Sequence, residues 1–141
     1  MVSGRLRISK LSGTTTPELT ATASGSAYLL TGGTIEWYGS NATGTEQKIR
    51  GKDGQNRTIN YFNLELNANG QNPDGNVWVN GSFGLNGTLT VSPQVRFKMD
   101  AFEIISGNGS VNLMNGSTFR FAHTNGLSAT GQIQVTGVKN Y

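Results

Sequence analysis

The chain has 141 residues, enough for one domain with a continuous core, and only 13% of them are charged, which sets it apart from a highly charged disordered segment. A net charge of +3 from basic residues scattered along the whole chain argues against nucleic acid, whose binders cluster Lys and Arg on one face with aromatics between them. Cysteine is absent, which removes disulfides, thiolate nucleophiles and zinc–thiolate sites, and the one histidine, His123, cannot build a His-rich metal centre. Twenty glycines with many Asn, Ser and Thr residues, and no stretch of helical period, describe an all-β chain of short strands joined by tight turns.

In chain order, residues 4–9 (GRLRIS) alternate Leu6 and Ile8 with Arg5, Arg7 and Ser9, the pattern of a half-buried strand. The polar stretch 11–26 contains Pro17 and reads as a long loop or a loosely paired edge. Strands are expected at Ala27–Thr31 and Thr34–Tyr38, with Ile35 and Trp37 on the core face and Glu36 and Tyr38 on the other. Residues 39–57 are the most polar stretch and the expected protruding loop. Lys48, Arg50, Lys52 and Arg57 there oppose only Glu46 and Asp53, either as a contact for an acidic sugar or as a solvated loop. In 58–66 (TINYFNLEL) the apolar parity switches from Ile59 and Tyr61 to Phe62, Leu64 and Leu66. A one-residue slip turns every side chain over, so this is a bulge or a corner. After a turn at 67–76, the odd positions from Val77 to Met99 are apolar, with Pro93 marking a corner. Trp78 breaks that parity and should point outward, to stack on a sugar ring or to pack under a loop.

A 22-residue step then becomes legible. Gly87, Gly109 and Gly131 each precede an apolar pair: Leu89/Val91, Val111/Leu113 and Ile133/Val135. Phe97 and Met99 return as Phe119 and Phe121, and Ile105 returns as Leu127. Such a period marks a solenoid whose units bury their apolar faces only against their neighbours. Asn-Gly at 69, 80, 86, 108, 115 and 125 raises an antiparallel hairpin array as the rival. Hairpins need only local turn chemistry, however, whereas return at one interval is what a coil requires. The residues between the core pairs form two outward strips. One is neutral, with Thr88/Thr90, Ser110/Asn112 and Gln132/Gln134. The other is basic, with Arg96/Lys98 and Thr118/Arg120. Polar ladders of this kind stabilise a coil by cross-rung contacts, and the basic one could also meet an acidic glycan.

Three stretches, GGTIEWYGSNATGTEQKI, INYFNLELNANG and NVWVNGSFGLNGTLTV, together resemble the β-helical repeat modules of large surface proteins and adhesins of Bacteroidota. The resemblance covers about two thirds of the chain and departs from the family at the charged insertion KIRGKDGQNR. It implies a right-handed parallel β-helix within a long exported polypeptide, of the kind carried by the type IX secretion route, and it transfers no catalytic residues.

The expected architecture is thus one all-β parallel solenoid module over 1–141 with coils of about 22 residues, irregular over 1–57 and regular over 58–141. The chain starts without the apolar core of a signal peptide and ends without a polar cap, as a piece of a longer repetitive chain would. The expected role is a non-enzymatic structural and adhesive module at a bacterial cell surface, with neighbouring modules or filament subunits as partners, acidic glycans as ligands, and no nucleic acid or membrane span. Its ligand-binding candidates are Lys48, Arg50, Lys52, Arg57, Trp78, Arg96, Lys98 and Arg120. No cofactor is expected. Calcium at Asp53 or Asp74 is the one cation to consider, and neither stretch has the repeated spacing of a calcium loop. The alternatives are a phage tail-fibre or tailspike segment and a polysaccharide-binding or polysaccharide-processing β-helix. The latter needs converging carboxylates, and Asp100 and Glu103 do not recur one coil later.

Overall fold

The computed structural model describes residues 4–8, 31–38, 47–53, 56–67, 75–122 and 135–136. Among them there is no helix, and every strand pairing is parallel. The first sheet has the order β1-β2-β5-β8-β11-β13, made of Arg5–Ile8, Thr34–Tyr38, Asn63–Asn67, Thr88–Val91, Ser110–Leu113 and Val135–Thr136. The second has the order β12-β9-β6-β3, made of Thr118–Phe121, Val95–Asp100, Gly75–Val79 and Gln47–Ile49. The third has the order β10-β7-β4, made of Ile104–Ser106, Phe83–Leu85 and Asn60–Tyr61. The chain visits the three sheets in turn, so β2-β3-β4, β5-β6-β7 and β8-β9-β10 are successive coils. The molecule is a parallel β-solenoid of about three turns. The hairpin alternative is excluded; among the described residues the one antiparallel contact is a single bridge between Lys52 and Thr58.

The step between coils is less regular than the sequence suggests. It is 22 from Thr88 to Ser110 and from Arg96 to Thr118. It is 20 from Val77 to Phe97, 25 from Leu64 to Leu89, 29 from Thr34 to Asn63 and 30 from Gln47 to Val77. Backbone pairing fixes which strands meet, while the corners between them absorb extra residues. Three expected returns are accordingly corrected. Val111 pairs with Val135, a step of 24, where Ile133 was expected. Phe121 lies opposite Asp100, not Met99, because the register shifts between Arg120 and Phe121. Asp100 has a φ of 47°, and Phe121 is left exposed. In β10 the buried residue is Ile104, at 3% exposure, while Ile105 is 45% exposed. The parity switch near residue 62 is a corner: Phe62 sits between β4 and β5, with Tyr61 and Leu64 buried on either side.

Residues 39–57 are not one protruding loop. β3 lies inside this stretch, with Gln47 and Ile49 buried and the Gln47 amide donating to the Ile8 carbonyl at 3.0 Å. The solenoid therefore extends N-terminal of residue 58, with steps of 29 and 30 where the later ones are 20 to 25. The expected strand over 27–30, the turn over 68–74, His123, Leu127 and residues 131–134 lie outside the described residues.

Alternation along each strand places like residues in rows through the interior. Ile35, Leu64, Leu89 and Val111 form one buried row, and Ile8, Trp37, Leu66 and Val91 the next. Trp37, Tyr61 and Phe83 meet edge to face, with ring centres 5.8 and 5.6 Å apart. Such pairs add roughly 0.5–1.5 kcal/mol each beyond their buried area. The Tyr61 hydroxyl, carried into the core, donates to the Arg50 carbonyl at 2.7 Å. Phe97 and Phe119 stack face to face at 5.5 Å.

Two corners show why particular residues stand where they do. At the turn from the second sheet to the third, the backbones of Gly51 and Gly81 touch, and a Cβ on Gly51 would land on the Gly81 carbonyl. At the turn from the first sheet to the second, Gln94 (φ 68°) and Gly116 (φ 82°) are both left-handed, and the Gln94 N–H donates to the Gly116 carbonyl at 3.0 Å. Truncating the aromatic row by Phe83→Ala should cost about 3–5 kcal/mol of unfolding free energy. Gly51→Ala should cost about 1–3 kcal/mol by overpacking. Urea denaturation followed by far-ultraviolet circular dichroism measures both, and a loss below about 0.5 kcal/mol for either would contradict the packing described.

Candidate functional site

The second sheet turns its buried positions, Ile49, Val77, Val79, Val95, Phe97 and Met99, into the core. The residues between them necessarily face outward, and parallel register sets them side by side. Lys48 pairs with Trp78, Trp78 with Lys98, and Lys98 with Arg120, one residue from each of four strands. Adjacent strands lie about 4.8 Å apart, so this row runs along the solenoid axis for about 14 Å. Arg96 stands beside it, two residues before Lys98 on β9 and opposite Thr118. Five of the eight residues singled out from the sequence, Lys48, Trp78, Arg96, Lys98 and Arg120, therefore share one face.

Within the row, the Lys98 ammonium sits over the Trp78 ring, 4.4 Å from its centre. This attraction between a cation and the negative face of the ring is worth about 0.5–1 kcal/mol at an exposed site. Trp78 is thus outward, as its parity implies, and it packs against its neighbour on the next rung. Its indole Nε1 is buried without a hydrogen-bond acceptor among the described residues. At the end of the row Arg120 is paired with Asp100 at 3.0 Å.

The remaining three candidates belong to the corner after β3. Arg50 donates from Nε to the Lys52 carbonyl at 2.6 Å, and Lys52 donates from Nζ to the Thr58 hydroxyl at 3.1 Å. Arg57 holds Asp53 by an ion pair of 2.7 Å and by its own backbone N–H at 2.9 Å. These side chains brace their own turn, in which Asn56 takes a φ of 63°. The Asp53 carboxylate considered for calcium faces Arg57, Asp74 lies outside the described residues, and among those described no three His, Asp or Glu side chains gather as metal ligands.

A second charged group was not singled out from the sequence. On the outward side of the first sheet, Arg7 pairs with Glu36 and Glu36 with Glu65. Glu36 is 1% exposed although it faces away from the core, because Arg5 and Arg7 cover it. Arg7 reaches it through Nε at 2.8 Å and Nη2 at 3.1 Å, Arg5 at 3.0 Å, and the Asn67 amide at 3.3 Å. Arg5 also bridges to Glu65, and the Arg7 guanidinium lies 4.2 Å from the centre of the Tyr38 ring. The signal was present: Arg5, Arg7, Glu36 and Glu65 all have outward parity. What hid it was the step of 29 that aligns them, which a 22-residue period does not bring together.

Burial pushes the Glu36 carboxyl up, but the hydrogen bonds from Arg7, Arg5 and Asn67, with the charge of Arg7, more than offset this and hold it below its ordinary 4.5. Arg5 and Arg7 are in turn held more firmly protonated, chiefly by their hydrogen bonds to Glu36. A carboxylate with a depressed folded-state pKa stabilises the fold above its unfolded pKa, and that stabilisation is lost as pH falls through the folded value. The urea midpoint of the parent should therefore drop on acidification below about pH 4.5. Glu36→Gln should start from a lower midpoint at neutral pH and show a flatter acid limb; parallel limbs for the two proteins would remove Glu36 from the linkage.

Comparison with protein-family models, with curated proteins and with solved structures finds no match.

Proposed function

We propose that this chain is a non-enzymatic structural and adhesive module of an exported bacterial surface or filament protein, serving as a stiff spacer that presents side chains for contact with a surface or a glycan. The observation that supports this reading is the in-register stacking of three parallel sheets around one continuous core. Each coil is held by backbone ladders to the coils above and below, so chain length is converted into axial length and stiffness. The charged group of the first sheet fits the same reading. Glu36 is enclosed by Arg5, Arg7 and Asn67 in contacts that fasten β1, β2 and β5 to one another, an arrangement that holds strands. The outward faces then carry whatever contact the module makes.

Display at the cell surface is tested with intact cells that produce the protein. A membrane-impermeant amine label, or an antibody raised against the 141-residue chain, should reach it without lysis. Labelling only after lysis would overturn the exported reading.

A further inference from the structure

We propose that the outward face of the second sheet is a binding site for a linear acidic polysaccharide, one bearing carboxylate or sulfate groups, lying along the solenoid axis across β3, β6, β9 and β12. This inference rests on the adhesive reading above and specifies its ligand and its surface. Three features of the face carry it.

The first is charge. Lys48, Arg96, Lys98 and Arg120 stand on the outward side of this sheet, and Asp100, engaged with Arg120, is its one carboxylate among the described residues. Four cations against one carboxylate make the face complementary to a polyanion. The second is direction. The row crosses the strands, so its members repeat along the axis at a distance comparable to one pyranose unit. A chain of sugars laid along the axis meets a new side chain at each residue, whereas a compact anion would engage one or two. The third is the single aromatic. Trp78 lies between Lys48 and Lys98 in register, with the Lys98 ammonium over one face of its ring, so a sugar reaches the tryptophan by displacing that ammonium onto its own acidic substituent. One ring in a row of cations suits a polysaccharide better than a nucleic acid, whose successive bases call for successive stacking platforms.

Among the described residues the Trp78 Nε1 has no acceptor, as the core Trp37 Nε1 has none, so a phenylalanine at position 78 keeps the contact with Lys98 at no cost to the fold.

The test uses the 141-residue chain and a length series of polyuronate and sulfated oligosaccharides, with isothermal calorimetry at low and at physiological salt. Affinity should rise with oligosaccharide length until the ligand spans the four strands and then level off, and it should fall with added salt. Lys98→Ser and Arg120→Ser should each weaken binding about tenfold, and Trp78→Ala by a similar factor. Trp78→Phe serves as the folding control: it should unfold at the same urea concentration as the parent or higher, and retain part of the affinity. Lys52→Ser, in the adjoining corner, should leave affinity unchanged. Absence of binding by the folded parent overturns the proposal, as does affinity independent of length, binding abolished by Lys52→Ser but not by the sheet variants, or equally tight binding of single-stranded DNA. Surface labelling of intact cells reports on the proposed function independently, so a displayed chain that ignores these sugars defeats this inference alone.

Discussion

Parallel pairing between residues one coil apart is the constraint from which the rest of this molecule follows. Once β5, β8 and β11 hydrogen-bond in register, Leu64, Leu89 and Val111 must stack, and the residues between them must form an outward column. The same rule generates the enclosed Glu36 and the basic row of the second sheet, while Trp37, Tyr61 and Phe83 meet between two sheets in the core they enclose. Side chains far apart in sequence become neighbours because the backbone repeats, with no need for individual complementarity. In such a structure the core and the surface are ordered by one device.

This device also explains which parts were legible in the sequence. Strand alternation is a local property, so the core positions of 77–99, the outward placement of Trp78 and the corner at Phe62 could be read from parity alone. The all-β parallel solenoid followed from residues that return at a fixed interval. Where the corners vary in length the interval fails: Val135 stands where Ile133 was expected, and Phe121 slips to Asp100. Nothing in a strand encodes the length of the turn before it. The basic row was found because Arg96, Lys98 and Arg120 fall within the one regular step, and Lys48 joined it through a step of 30 that no repeat announced. The Arg5–Arg7–Glu36–Glu65 group was missed for the same reason, and β3 was taken for loop because a three-residue strand among charged residues has almost no pattern to show.

The two outward faces treat charge in opposite ways. On the first sheet, opposite charges face each other across strands, and the carboxylate between two guanidinium groups is withdrawn from water, so its role is internal. On the second sheet, Lys48, Lys98 and Arg120 share a row with Trp78, and Asp100 pairs with Arg120. Self-satisfied ionic groups hold strands together, whereas an excess of one sign leaves a field that reaches beyond the surface. The contrast separates the face that fastens the coils from the face that can engage something else.

The unequal spacing of the coils has its source in particular corners. The turns from the third sheet to the first are all tight: one residue between β4 and β5, two between β7 and β8 and three between β10 and β11. Between β2 and β10 the connections on the two sides of the second sheet range from three residues, as at 92–94 and 80–82, to eight between β2 and β3 and ten between β3 and β4. Between β2 and β11 the variation in length is therefore confined to the corners beside the second sheet. What frames the basic face differs from coil to coil, while the edge between the third and first sheets stays nearly constant.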